Sequence, residues 1–345
     1  MDGLLKQFGP QVLGVLVRRG ADFAAAEDAV QEALVEAVRR RREETVHEQP
    51  APGPTEWADD TLLLLFWCCH PSLTPASAVA LTLRAVGGLS TRQIATAYLV
   101  PETTVAQRIS RAKRTVSGQR LTQPGDLSTV LRVLYLIFNE GYPGEVDLAA
   151  EAIRLARQLL ALADEPEVSG LLALMVLHHA RAPRRTADGA LVPLAEQDRS
   201  RWDTAAIAEG VAILQRALSR DLLGEYQAQA AIAALHADAA RAQETDWKQI
   251  LQWYDELAAL VDSPVVALNR AVAVGEVDGP LAGLRAVQDV PAGVPRHTAV
   301  RAYLHERAGD LELARALYGA ASRQATSEAE RDHLTRQAAR LHRQL

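Results

Sequence analysis

The chain has few cysteines, no long apolar run and no export signal, and each shortage argues against a class of protein. Its two cysteines among 345 residues, Cys68 and Cys69, are adjacent, so they cannot join distant segments in a disulfide framework. The longest apolar run, Leu62–Cys69, is far shorter than the roughly 20 residues that cross a bilayer. The first residues lack the basic and apolar segments of a secretory signal. We therefore expect a cytoplasmic protein without membrane segments.

Signals for β-strands are also scarce. Aromatic residues make up only 5% of the chain, and sustained alternation of apolar and polar residues is missing. Ala, Leu, Arg, Glu and Gln recur at helical spacing instead, which predicts an all-α protein. Breaks rich in Pro and Gly at 49–54 and 118–126 are the expected linkers. They would separate three pieces, which are 1–48, 55–117 and 127–345.

Charge is distributed unevenly along the chain. The net charge is −6, and residues 126–345 carry 23 basic against 30 acidic residues. Residues 74–121, in contrast, carry seven basic residues and one acidic residue, a local charge of +6. A basic module inside an acidic protein is the pattern expected of a surface that binds nucleic-acid phosphates.

The basic segment has the pattern of a helix-turn-helix. Ser90 and Gln93 have the spacing of a capping box at the start of a short helix, and Pro101 suits the start of the next one. A solvated basic face is the alternative interpretation, but a short helix, a tight turn and a basic helix in this order favour DNA binding. The predicted DNA-binding residues are Thr103, Thr104, Gln107, Arg108, Arg111 and Lys113.

Two segments resemble extracytoplasmic-function (ECF) sigma factors. The sequence GGLSTRQIATAYLVPETTVAQRISRAKRTV, residues 87–116, resembles region 4, and DAVQEALVEAV, residues 28–38, resembles a helix of region 2. The resemblance implies that region 4 reads the promoter −35 element and binds the RNA polymerase flap. It also implies that Asp28, Gln31 and Glu32 bind the polymerase clamp. The segments LLFWCCHPSL, YLIFNEGY, LLALMVLHHAR and LAEQDRSRWD are similar to the ECF subgroup with a long C-terminal helical extension.

The chain departs from the family after Val38. In the family, a few tens of residues that melt and read the −10 element lie between the region 2 helix and an arginine-rich stretch. Here Val38 leads directly into Arg39–Arg42, so we infer an internal deletion and a partial region 2 within 1–48. The leading interpretation is a sigma-type initiation factor. The alternative is a helical-repeat adaptor or anti-activator that has lost promoter opening.

The C-terminal piece, residues 127–345, has the pattern of a helical-repeat domain. Apolar stripes alternate with short breaks, and Ala314, Tyr318 and Ala321 follow Gly309 at the spacing of tetratricopeptide (TPR) repeats. Such stacks offer surfaces to a protein or peptide ligand, but many are scaffolds only. Both interpretations stay open.

The remaining polar clusters favour structural roles, so we expect no enzyme activity, cofactor or metal. Cys68, Cys69 and His70 are consecutive on a helix and point about 100° apart, which does not suit one ion. Asp203 has the position of a helix cap. The residues predicted to end a helix or to form a structural or interdomain latch are Asn139, Tyr142, Asp198, Arg199, Trp202 and Asp203.

Overall fold

The computed structural model of the chain is helical. It describes residues 2–41, 58–98, 100–117, 125–140, 147–181, 186–187 and 190–344. In these ranges the other regular structure is three short 3-10 helices and a two-residue β-ladder, Thr186–Ala187 against Ala190–Leu191. The all-α prediction is confirmed. None of the helices described here is long and apolar enough to cross a membrane.

The chain divides into two compact units, Met1–Asp164 and Glu165–Leu345, which we call the first and the second unit. The helices of the first unit are α1 (Asp2–Arg18), α2 (Phe23–Arg41), α3 (Ala58–Cys68), α4 (Pro75–Ala85), α5 (Thr91–Ala97), α6 (Glu102–Ser117), α7 (Leu127–Glu140) and α8 (Leu148–Leu162).

Helix α4 is the centre of the first unit. It begins after Thr74, whose Oγ1 accepts a hydrogen bond from the backbone N–H of Ser77 at 3.3 Å, and Pro75 occupies the first turn, where its missing N–H costs nothing. Every residue from Ala78 to Leu83 is buried, because α1, α3, α5, α6 and α7 all pack against this helix. The segment predicted to form a helix-turn-helix therefore rests on a core shared with the N-terminal helices.

The boundary predicted at 118–126 does not separate the two units. Residues 118–124 and the linker predicted at 49–54 lie outside the described residues. The backbone N–H of Gly125 donates to the carbonyl of Phe66 at 2.9 Å, and a Cβ at Gly125 would lie 2.3 Å from the carbonyl oxygen of Cys69. Helices α7 and α8 then pack on α3, so the division between the units falls after Asp164.

The second unit is a row of helices in which each helix packs against its neighbours in the sequence. Its α-helices are α9 (Pro166–His179), α10 (Thr204–Leu218), α11 (Glu225–Asp238), α12 (Trp247–Leu260), α13 (Pro264–Val277), α14 (Pro280–Gln288), α15 (His297–Arg307), α16 (Leu311–Gln324) and α17 (Glu328–His342). Ala314, Tyr318 and Ala321 are buried against Leu334 and Leu341, as the repeat-like spacing predicted. This arrangement fits a helical-repeat domain.

Candidate nucleic-acid interface

Helices α5 and α6 form the predicted helix-turn-helix. The capping box is present, because Ser90 Oγ accepts from the N–H of Gln93 at 3.2 Å and Gln93 Oε1 accepts from the N–H of Ser90 at 2.9 Å. In the turn, the N–H of Val100 donates to the carbonyl of Ala95 at 3.1 Å, and the carbonyl of Pro101 accepts from Thr104 at 2.9 Å. Leu99 lies outside the described residues.

The inner face of α6 fixes which side chains point outward. Val105, Ile109, Ala112 and Val116 are buried and recur at helical spacing. Helix α6 packs through this face on α4 and α5. The opposite side of the helix, with Thr103, Gln107 and Arg111, is exposed.

The predicted DNA-binding residues differ in exposure. Thr103, Gln107 and Arg111 are exposed, whereas Thr104 and Arg108 are half-buried. The side chain of Arg108 lines a cavity of about 230 Å³ whose other walls include Pro75, Val79, Tyr98 and Leu136. Arg108 therefore lies at the flank of the helix, beside the core.

One exposed cation on the same face was missed from the sequence. Arg114 follows Arg111 by three residues and Gln107 by seven, so it lies on the same side of α6. The helical spacing contained this signal. We use the name outer face of α6 for Thr103, Gln107, Arg111 and Arg114.

A buried carboxylate connects α2 to α4 and α6. Glu27 of α2 is fully buried, and its Oε1 accepts a hydrogen bond from Arg84 Nε of α4 at 3.1 Å. The ammonium of Lys113 on α6 forms ion pairs with Glu27 and, at 2.7 Å, with Asp28 Oδ1. We call Glu27, Asp28, Arg84 and Lys113 the Glu27 cluster.

The Glu27 cluster combines two predictions that the sequence made separately. Lys113 was predicted to contact DNA and Asp28 to contact polymerase, yet the two side chains form an ion pair with each other. The side chain of Lys113 is only 13% exposed, whereas that of Asp28 is 68% exposed. Carboxylates thus neutralise Lys113, and Arg108, Arg111 and Arg114 are the cations of α6 without an ion pair in the described part of the chain. Of the other predicted polymerase contacts, Gln31 is half-buried and Glu32 is exposed.

The predicted latch residues lie within the second unit. Arg199 Nη1 donates to the carbonyls of His236 and Ala239 at 2.8 and 2.7 Å, so its guanidinium caps the C-terminal end of α11. The same guanidinium lies 5.0 Å from the ring centroid of buried Trp202. Asp203 Oδ1 accepts from the N–H of Ala206 at 3.0 Å, which confirms it as the N-cap of α10.

Three further polar residues were also predicted from the sequence to have structural roles. Asp198 Oδ1 accepts from the N–H and Oγ of Ser200, which fixes the turn before Trp202. Asn139 Nδ2 donates to the carbonyl of Tyr135 at 3.0 Å, one turn back in α7. Tyr142 lies outside the described residues.

Burial shifts the pKa values of two cysteines and one histidine outside the helix-turn-helix. Burial raises the pKa of the Cys68 thiol well above its ordinary value and that of Cys69 to about 12, so both are neutral thiols. Burial, together with the charges of Arg181 and Arg199, lowers the pKa of His236 to about 4. In the described ranges, no group of three or more His, Cys, Asp and Glu side chains is placed to hold a metal ion.

Comparison with known proteins identifies the domain that contains the outer face of α6. Residues 63–116 match the family model described as Sigma-70, region 4, and residues 126–218 match a family of unknown function (DUF6596). An uncharacterized protein of Rhizobium meliloti (strain 1021) is 39% identical over 339 residues, covering 81% of this chain and 80% of the relative. The chain belongs to the family of this rhizobial protein. No solved structure matches it.

The region 4 match defines a sigma-factor-like protein with a DNA-binding domain. The match begins in α3 and ends in α6, so it includes the whole helix-turn-helix and the outer face of α6. The second match spans the division between the two units at Asp164 and includes the latch residues around Trp202.

Proposed function

We propose that the protein is a sigma-type transcription initiation factor of the ECF subgroup. In this proposal it binds the RNA polymerase core and promoter −35 DNA in the cytoplasm, and its C-terminal TPR-like helices act as a regulatory or interaction domain. The observation that carries the proposal is the outer face of α6, which is polar and cationic and belongs to the second helix of a helix-turn-helix inside a sigma-70 region 4 match.

The chemistry of this face suits the major groove. An α-helix fits the major groove of B-DNA, and its N-terminal residues reach the base edges. Thr103, Thr104 and Gln107 are close to the N-terminus of α6 and would contact base edges, while Arg108 and Arg111 further along would contact phosphates or guanine. We add Arg114 as a phosphate contact, since it lies on the same exposed side.

Lys113 has a different role in the proposal. Its ammonium is held by Glu27 and Asp28, so a contact between Lys113 and DNA requires the ion pairs to open. In the closed state Asp28 is paired as well, although most of its side chain stays exposed. Gln31 and Glu32 complete the proposed polymerase-binding strip of α2.

A second function is supported by the length of α2. The helix runs from Phe23 to Arg41 without interruption, so the arginines continue the helix that resembles region 2, which fits the inferred loss of the −10 segment. A protein that binds DNA and polymerase but does not open promoters would act as an adaptor or anti-activator.

A run-off transcription assay with RNA polymerase core separates the two functions. If the chain is an initiation factor, it gives promoter-dependent transcripts. If it is an adaptor, it gives no transcripts, and transcripts appear only when the missing region 2 segment is inserted after Val38. The matched control is the same pair of proteins with Arg111→Gln and Arg114→Gln. If neither the parent chain nor the version with the inserted segment binds a −35 duplex, both functions are wrong.

A further inference from the structure

The second unit contains a cavity that the proposed promoter binding does not use. Its volume is about 630 Å³, and it lies between the end of α14, the segment that follows it, and α15. One wall is apolar and is formed by Leu284, Val287, Val290 and Pro291. A cavity of this size accommodates several amino-acid side chains.

The opposite wall is a row of basic side chains. His297, Arg301 and His305 are spaced four residues apart on α15, so they share one face of the helix, and all three line the cavity. His297 is only 7% exposed and borders the cavity. An imidazole can donate or accept a hydrogen bond, so it suits a polar group of a ligand.

Arg301 is the permanent positive charge of this wall. Its guanidinium has neither a hydrogen bond nor an ion pair within the described residues. His305, in contrast, is engaged, because its Nδ1 lies 3.4 Å from Asp310 Oδ2. A half-buried, unpaired guanidinium is suited to bidentate binding of a carboxylate or a phosphate.

The charges that line the cavity favour a peptide carboxylate over the phosphates of a nucleic acid or a membrane. Asp289 also lines the cavity, so one carboxylate is set against the one permanent cation. A nucleic acid or an anionic membrane carries many negative charges and is bound by clusters of cations, and Arg301 opposite Asp289 is not such a cluster. A peptide brings one carboxylate for Arg301, an apolar side chain for the wall around Val287, and main-chain N–H groups for Asp289.

We propose that this cavity binds a short peptide segment of a partner protein, with a carboxylate on Arg301 and an apolar side chain against Leu284, Val287 and Val290. The imidazole of His297 bonds the same carboxylate or the adjacent main chain. The proposal concerns the second unit and does not rest on polymerase or promoter binding.

The test is an NMR titration of the full chain labelled in its nine histidines. The probe is a mixture of acetyl-Gly-X-Glu-X-Gly-amide peptides in which X is Leu, Ile, Val, Phe or Met. The imidazole signals of His297 and His305, assigned from His297→Gln and His305→Gln, should shift saturably. A mixture with Gln in place of Glu should bind at least about tenfold more weakly, because a hydrogen bond to a charged group is lost.

Variants of the protein locate the binding site. Arg301→Gln should weaken the binding of the Glu mixture about tenfold or more. Arg285→Gln is the matched control, because Arg285 is exposed on α14 and does not line the cavity, and it should leave binding unchanged. Thermal melting of both variants verifies that they are folded.

Three outcomes of the peptide titrations overturn the proposal. They are no saturable shift of His297 and His305 at millimolar peptide, equal binding of the Glu and Gln mixtures, and unchanged binding by Arg301→Gln. A shift of the same signals by a double-stranded oligonucleotide, without a shift by peptide, also overturns it in favour of a nucleic-acid site. A mixture with central Gln and a free C-terminus distinguishes a terminal carboxylate from a side-chain carboxylate.

Discussion

Replacing Glu27 by glutamine should destabilise the first unit strongly, because it removes the anion at the centre of the Glu27 cluster. The amide keeps the shape of the side chain but leaves Arg84 and Lys113 close together without that counter-charge. Glu27 is fully buried, and the side chains of Arg84 and Lys113 are 19% and 13% exposed. All three groups are therefore largely shielded from water, which screens surface charges effectively but buried charges poorly.

The structure sets the size of this effect. Breaking a buried ion pair by removing one partner costs about 3–5 kcal/mol. Lys113 retains Asp28 at 2.7 Å, and both cations keep some contact with water, so we expect the lower end, about 3 kcal/mol. At about 2–4 °C for each kcal/mol in a unit of this size, the melting temperature of the first unit should fall by about 6–12 °C.

Asp28→Asn is the matched control for Glu27→Gln. Asp28 belongs to the same cluster and contacts the same ammonium, but its side chain is 68% exposed. An exposed ion pair contributes about 1 kcal/mol or less. The free energy of unfolding should therefore change in Asp28→Asn by about a third or less of the change in Glu27→Gln.

Urea unfolding followed by circular dichroism measures both variants, with calorimetry to separate the transitions of the two units. Equal free energies of unfolding for Glu27→Gln and Asp28→Asn would refute the reasoning, because burial would then make no difference. The double variant with Lys113→Met should recover part of the loss, since the uncompensated charge is removed together with its partner.

Three further predictions concern DNA, polymerase and pH. Arg111→Gln combined with Arg114→Gln should weaken duplex binding and reduce the slope of log K against log salt by about 1.8, because about 0.9 is lost for each phosphate contact. The control is Arg216→Gln, because Arg216 is exposed in the second unit. An unchanged slope in the double variant argues against DNA binding by the outer face of α6. Glu32→Lys should reduce capture of polymerase core without lowering the melting temperature, since Glu32 is exposed and outside the Glu27 cluster. Equal capture of polymerase by the variant and the parent would argue against Glu32 as a polymerase contact. The pKa of His236 is about 4 in the folded chain and about 6.5 when unfolded, so the unfolded state binds the extra proton as the pH falls from 6.5 to 4. The free energy of unfolding of the second unit should therefore fall by up to about 3 kcal/mol over that window. His236→Phe keeps a ring against Trp247 but does not titrate, so its free energy of unfolding should fall correspondingly less.

Local sequence signals determined most of the helix-turn-helix. The capping box at Ser90, the buried spacing of Val105, Ile109 and Ala112, and the exposure of Gln107 and Arg111 all follow from residues within one or two helical turns of each other. Helix geometry fixes such relations whatever the rest of the fold does. The same holds for Asp203 as the cap of α10.

The Glu27 cluster, in contrast, was decided by tertiary structure. Lys113 and Asp28 are 85 residues apart, and Arg84 and Glu27 are 57 apart. In the sequence, Glu27 is one acidic residue among several on an amphipathic helix, and helical spacing does not specify which of them faces a partner. Its burial depends on how α2 packs on α1 and α6, which the core of the first unit determines.

Tertiary structure also decided where the chain divides into two units and how the cavity beside α15 is formed. The Pro- and Gly-rich stretch at 118–126 predicted a domain boundary, but Gly125 packs against the end of α3 and brings α7 into the first unit. The spacing of His297, Arg301 and His305 was visible in the sequence, whereas the apolar wall opposite them was not, because it comes from the end of α14 and the segment after it. Periodicity along one helix specifies which residues share a face. What that face meets depends on contacts between segments distant in the chain, and these only the folded structure supplies.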